Sequence, residues 1–148
     1  GFETVAISRS PDKEALAMDL GADHFINATA TDPADELQAL GGANVVLATA
    51  PSSEAIASVV GGLGTDGTVL VVGVPGEPVP VDAGHLVSTR GAVAGWASGD
   101  ARDSQDTLEF SALREITPEI ETYPLSEVET AYERMIQNEA RFRVVLEP

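Results

Sequence analysis

The chain contains no cysteine, only two histidines, His24 and His85, and a single lysine, Lys13. Missing thiols remove disulfides and thiolate metal ligation, a usage that fits a cytoplasmic protein. With two imidazoles and no sulfur, no metal site is expected within the chain itself. Basic residues are scarce as a group: 8 Lys and Arg stand against 24 Asp and Glu, for a net charge of -16. A field of that sign repels phosphate backbones and anionic lipid, so nucleic acid and membrane partners are disfavoured. Most of the carboxylates read as a solvated surface. No apolar run approaches the roughly 20 residues of a membrane-spanning helix.

What is present is enough for a core: 148 residues, 43% of them hydrophobic, with a mean hydropathy of +0.04. The order of segments predicts an α/β fold. Residues 4–7 (TVAI) read as a strand; Ser10 reads as the cap of a helix with Pro11 at its first position, running to Leu20 and stopped by Gly21. A short strand at 24–26 precedes a helix from Asp32-Pro33 to Leu40, closed by Gly41-Gly42. The run 44–49 (NVVLAT) has the continuous apolar character of a strand buried on both faces of a parallel sheet. A helix from Ser52 or Ser53 carries the stripe Ile56, Val59, Val60 and Leu63, and 68–72 (TVLVV) repeats the buried-strand pattern before a loop at 73–78. Strands alternating with helices at this spacing imply βαβ units with right-handed crossovers. A strand at 91–95 follows, then a change of rhythm: an amphipathic helix near 103–114, an extended stretch at 118–123, a helix opened by a Ser126/Glu129 capping box, and a last strand at 142–146.

Four features of this order bear on chemistry. Gly62-Leu63-Gly64-Thr65-Asp66-Gly67 matches G-x-G-x-x-G, but it follows a helix and enters a strand, the reverse of the context that aims a helix N-terminus at a pyrophosphate. It reads as a helix stop. Gly73-Val74 and Thr49-Ala50 lie just past the carboxyl ends of two buried strands, where open α/β sheets bind ligands, although plain turns would have the same composition. Gly95 and Trp96 follow a third strand end, and the indole could equally pack at a domain edge. Ser8, Arg9 and Lys13 end the first strand. In a doubly wound nucleotide-binding fold, an Arg at the end of the second strand accommodates the 2′-phosphate of NADP, where an acidic residue would hold a free ribose hydroxyl. The competing reading is a pair of surface charges, with Lys13 offsetting Asp12 and Glu14.

The stretches VAISRSPDKEALAMDLGADHFIN, TVLVVGVPGEPVPVD, GAVAGWASG, PEIETYPLSEVETAYERM and ARFRVVLEP, in that order, resemble the medium-chain zinc-dependent alcohol dehydrogenase superfamily. The likeness is strongest to its NADP-dependent cinnamyl alcohol dehydrogenase and aldehyde reductase branch. The resemblance implies that Ser8, Arg9 and Lys13 hold the 2′-phosphate of NADP, and that Thr49 and Ala50 flank the adenosine side of the groove. Gly73 and Val74 would lie along the nicotinamide ribose, while Ala92, Ala94, Gly95 and Trp96 approach the amide edge and Arg143 the pyrophosphate. At Trp96 the branch usually has a small residue.

On this likeness residues 1–95 form an incomplete NADP-binding Rossmann-like domain and 96–148 a segment that rejoins a catalytic domain. The first strand and the glycine-rich turn, with the zinc ligands and most of the substrate pocket, are expected upstream of Gly1. Because that first strand is central to the order 3-2-1-4-5-6, its loss should leave two unpaired apolar edges, prone to self-association. The implied parent is a homo-oligomeric oxidoreductase of alcohols and aldehydes with zinc, and the chain alone is expected to be inactive. A zinc-free quinone or enone reductase of the same superfamily, or a non-catalytic nucleotide-binding or interaction module, are the alternatives.

Overall fold

The alternation of apolar runs and helix signals folds, in a computed structural model that describes residues 1–137 and 139–148, into two units, Gly1–Ala97 and Ser98–Pro148. The first contains β1 (Val5–Ser8), α1 (Glu14–Asp19), β2 (His24–Asn27), α2 (Pro33–Ala39), β3 (Ala43–Ala48), α3 (Ser53–Val60), β4 (Leu63–Val71), α4 (Ala83–Thr89) and β5 (Ala92–Gly95). Every strand pair is parallel. β1 pairs with β2, and β3, β4 and β5 pair in that order, but no ladder among the described residues joins β1 to β3. The strands of this unit thus form two separate parallel ladders, β1-β2 and β3-β4-β5.

Local chemistry sets the helix ends. The Asp32 carboxylate accepts from the amide of Ala34 at 2.7 Å, and the Ser52 hydroxyl accepts from Ala55 at 3.3 Å, each meeting an amide that has no partner within its helix. Beyond α2, Gly41 and Gly42 take φ of +100° and +85° and turn the chain back into β3. The first helix differs from its sequence reading. Residues Pro11–Lys13 form a 3-10 turn and only Glu14–Asp19 is α-helical, because Ser10 stays extended and makes no side-chain cap. Its amide instead donates to the Ser8 hydroxyl at 3.1 Å.

The core of this unit is Ile26, Leu37, Ile56, Val59, Val60, Leu63 and Val69, with Ile56, Leu63 and Val69 sealed from solvent. Val69 sits at the middle of the three-stranded sheet, opposite Val46 on one side and Val93 on the other. β3 departs from the expectation of burial on both faces. Val46 and Ala48 pack against the core, whereas Val45 and Leu47 on the alternate face are 65% and 58% exposed. Helices cover one face of β3 and nothing described covers the other. α4 was not anticipated, since Gly84, Val87 and Thr89 are poor helix formers; the Asp82 carboxylate, accepting from Gly84 at 2.8 Å, starts it.

The second unit contains α5 (Ala101–Leu113), β6 (Ile120–Pro124), α6 (Val128–Ile136) and β7 (Arg143–Glu147), with β6 and β7 parallel. A capping box does form here, but at Asp100 and Asp103, each accepting from the other's amide, and not at Ser126. Ser126 lies inside a 3-10 turn, Leu125–Glu127, so it does not precede α6 as a cap must. α5 buries no residue, contrary to an amphipathic reading. On α6 only Ala131 is buried.

An ion pair ties α6 to β6. Arg134 engages both carboxylate oxygens of Glu121, and the Arg141 amide donates to the same group at 2.8 Å. The guanidinium, followed by that amide, holds the Glu121 carboxyl below its usual range. A group depressed on folding stabilises above its unfolded pKa and loses that contribution as pH falls through the lower folded value. Glu121→Gln should therefore destabilise the second unit at pH 7, with the difference from the parent shrinking below about pH 4.3. Urea unfolding across pH 2.5–7, followed by the fluorescence of Tyr123 and Tyr132, checks it, and a difference independent of pH would contradict it.

Candidate functional site

All five strands of the first unit are read in the same direction within their ladders, so the residues that leave them gather the sequence-predicted positions at carboxyl ends. Three of these ends are stitched together by main chain. The carbonyl of Ala48, at the end of β3, accepts from the amides of Val72 and Gly73 at 3.1 and 3.0 Å. The amide of Trp96, leaving β5, donates to the Val71 carbonyl at the end of β4 at 3.0 Å.

Gly73 is glycine for a steric reason. A Cβ there would overlap the Thr49 carbonyl oxygen and stand 2.8 Å from the Thr49 carbonyl carbon and 2.9 Å from that of Ala50. The backbones of Thr49, Ala50 and Gly73 thus form one close-packed cradle, with Val74 projecting into solvent. Sequence reading missed the residue that steadies the following loop: the Ser53 hydroxyl donates to the Pro78 carbonyl at 2.7 Å, across 25 positions. No local signal marks such a contact. Ala92, Ala94 and Gly95 lie along β5, all exposed, and Trp96, just beyond it, is 62% exposed.

At the end of β1, Ser8 is half-buried with its hydroxyl accepting from Ser10. Arg9 follows, exposed, and Lys13 closes the 3-10 turn, half-buried. Among the described residues neither cation forms an ion pair, although Asp12 and Glu14 flank Lys13 and the chain is strongly acidic. Arg90 shows the contrast: it grips Asp66 through two bonds, at 2.8 and 2.6 Å, and holds that carboxyl below its usual range. Arg143 opens β7, in the second unit, so it does not share a unit with the other candidate residues.

The Gly62–Gly67 stretch follows α3 and enters β4, as its context predicts, with no helix N-terminus presented by it. Gly67 is glycine because a Cβ would come within 2.6 Å of the Ala43 carbonyl oxygen on the paired strand. Among the described residues no three His, Asp or Glu side chains gather as metal ligands, so the residues present do not fit zinc. No described helix is long and apolar enough to cross a membrane.

Parallel strands joined by helices, with a glycine-tight crevice at the strand ends, are the architecture of nucleotide-binding α/β domains. The chain belongs to the zinc-binding dehydrogenase family, whose pattern matches residues 1–113. It is 37% identical over 146 residues to the alcohol dehydrogenase notN of an Aspergillus species, covering 99% of this chain and 43% of that protein. Among solved structures it resembles a cinnamyl alcohol dehydrogenase of Sorghum bicolor, at 30% identity and a TM-score of 0.80, with 96% of this chain matching 40% of that one. It also resembles an alcohol dehydrogenase of the archaeon Aeropyrum pernix, at 25% identity and a TM-score of 0.85, over 99% and 43% of the two chains. The chain thus spans about two fifths of the length of these relatives.

Proposed function

We propose that this chain is the cofactor-binding portion of an NADP-dependent, zinc-type alcohol dehydrogenase or aldehyde reductase, and that it does not turn over by itself. Its support is the end of β1, where Ser8, Arg9 and Lys13 bring a hydroxyl and two cations, neither in an ion pair among the described residues, to the position at which a 2′-phosphate is read in this fold. Thr49, Ala50 and Gly73, packed backbone to backbone just past the ends of β3 and β4, stand where open α/β sheets bind ligands. When bound, the nicotinamide supplies a hydride donor or acceptor at C4.

The chain's own residues position that group. Gly73 and Val74 would line its ribose, Ala92, Ala94, Gly95 and Trp96 would offer main chain to its amide edge, and Arg143 would neutralise the pyrophosphate. Zinc, the proton relay and the alcohol or aldehyde pocket would come from outside these residues, in a homo-oligomeric parent. Inactivity follows from the open sheet: a cofactor groove that lacks one wall binds weakly.

Arg9→Asp combined with Lys13→Ala, made in the intact enzyme, should lower the ratio of kcat/KM for NADP over NAD by roughly tenfold to a hundredfold, the range for one or two charge-assisted phosphate bonds. An unchanged ratio would remove the 2′-phosphate assignment. For the 148-residue chain, calorimetry with NADPH should give no binding at micromolar concentrations. Micromolar or tighter affinity would show that the isolated chain already holds a whole site.

A further inference from the structure

In the second unit a carboxylate stands where strand packing asks for an apolar side chain. Along β6, Glu121 and Tyr123 share the half-buried face, while Ile120, Thr122 and Pro124 are exposed. Taking a charge out of water costs free energy unless it is paired and bonded, and even a paired one gives little stability beside a well-packed apolar residue. The Glu121 carboxylate has three donors: Nε and Nη2 of Arg134 on α6, and the main-chain amide of Arg141 at 2.8 Å. The first two satisfy the charge. The third comes from 20 positions away and from ahead of β7, whose ladder with β6 begins at Arg143 opposite Ile120. Phe142 and Arg143 donate their amides to the Glu119 carbonyl, at 3.0 and 3.3 Å. Three successive amides are thus gathered at the start of β6, and for that of Arg141 the acceptor is a side chain. Arg141 and Arg143 themselves are exposed, and among the described residues neither guanidinium is in an ion pair, in a chain with 24 Asp and Glu.

We infer, resting on the reading of Arg143 as the cation of the pyrophosphate, that Glu121 is a positioning residue of the cofactor site. Its carboxylate fixes the main chain at Arg141 and thereby holds Arg143, two residues on, ready for a diphosphate. An arginine on mobile main chain must be ordered when its anion binds, and that ordering subtracts from affinity; one whose main chain is already held loses only side-chain freedom. Arg134 serves the same end one step back. By engaging both oxygens of the carboxylate it leaves that group a single orientation towards the Arg141 amide. It also offsets the Glu121 charge, so the amide gains an acceptor without adding net negative charge near the anion.

Variants of the intact enzyme, compared by KM for the dinucleotide and by kcat, test it. The pyrophosphate is remote from the reacting C4 carbon, so a loss there weakens ground state and transition state alike and shows in KM. Glu121→Ala should raise KM about tenfold with kcat within about twofold of the parent, and should add no further rise in an Arg143→Ala background. Glu121→Gln keeps an oxygen for the Arg141 amide but gives up the charge pair with Arg134, so KM should stay within about threefold although stability falls. A merely structural Glu121 would instead give a KM that follows stability across the variants, a kcat that falls with the folded fraction, and an effect that adds in full to Arg143→Ala; any of these overturns the inference. A rise in KM for Arg143→Ala with none for Glu121→Ala overturns it and leaves the cofactor reading standing, whereas an unchanged KM for Arg143→Ala removes both. Amide exchange in the parent chain, followed by NMR, needs no substitution and covers a Glu121→Ala variant that fails to fold. The Arg141 amide should exchange at least about tenfold more slowly than in an unstructured peptide, and free exchange would overturn the positioning role.

Discussion

Leu63→Ala should lower the unfolding free energy of the first unit by roughly 2–5 kcal/mol, a large part of the stability of an ordinary domain. Leu63 is fully buried, at 0% exposure, and it begins β4, the strand that pairs with neighbours on both sides. Its side chain cannot be replaced by collapse of its surroundings. A Cβ on Gly67 would lie 3.2 Å from its Cβ, and one on Gly91 would lie 3.4 Å from its Cδ1, so backbone without side chains walls the site. The loss should appear as a drop in Tm of about 10 °C or more. Leu108→Ala, on a residue 72% exposed, supplies the control and should shift stability by less than about 0.5 kcal/mol. Equal effects of the two substitutions in thermal and urea unfolding would show that β4 is not the keystone of this core.

Gly73→Val should do damage of a different kind. The new Cβ would meet the Thr49 and Ala50 backbone, which has no rotamer to move, so β3 and β4 must separate at their carboxyl ends. Overpacking of this type costs roughly 1–3 kcal/mol. It also breaks the Gly73 to Ala48 bond that joins the two strand ends. In the intact enzyme, KM for the cofactor should rise by about tenfold or more. Gly76→Ala, three residues along the same loop with nothing within 4 Å of its Cβ, should leave both stability and KM near the parent values. If Gly76→Ala is as harmful as Gly73→Val, the loop as a whole matters and the cradle does not.

The elements were legible where a local signal existed. Asp32-Pro33 ahead of an apolar stripe, Gly41-Gly42 after it, and the runs around Val46 and Val69 placed α2, β3 and β4 within a residue or two at most ends. Even where the type was right the details moved: β4 begins at Leu63, since Leu63 pairs with Ala43 before the apolar run starts. Caps were harder. Ser10 and Ser126 have the right residue type at the right spacing, yet one amide turned to Ser8 and the other serine was drawn into a 3-10 turn. α4 went unread because its composition opposes a helix and a single aspartate starts it.

Of the candidate site, the placement of Ser8, Thr49, Gly73 and Gly95 at strand ends could be read from order alone. Alternating strands and helices of this length can close only as parallel βαβ units, and parallel strands must release their chains at one edge. The sequence also determined, through the Ser8-Arg9 ending of β1 in an otherwise acidic chain, which cations are available there. Tertiary structure decided which of these positions touch. Contacts such as Gly73 against Thr49, Ser53 with Pro78 and Arg134 with Glu121 join residues 13 to 25 positions apart, and they arise from the packing of elements against each other. It also decided that Val45 and Leu47 on one face of β3 are exposed while Val46 and Ala48 on the other pack into the core. An apolar run records that a strand wants partners; only the assembled sheet records whether it has them.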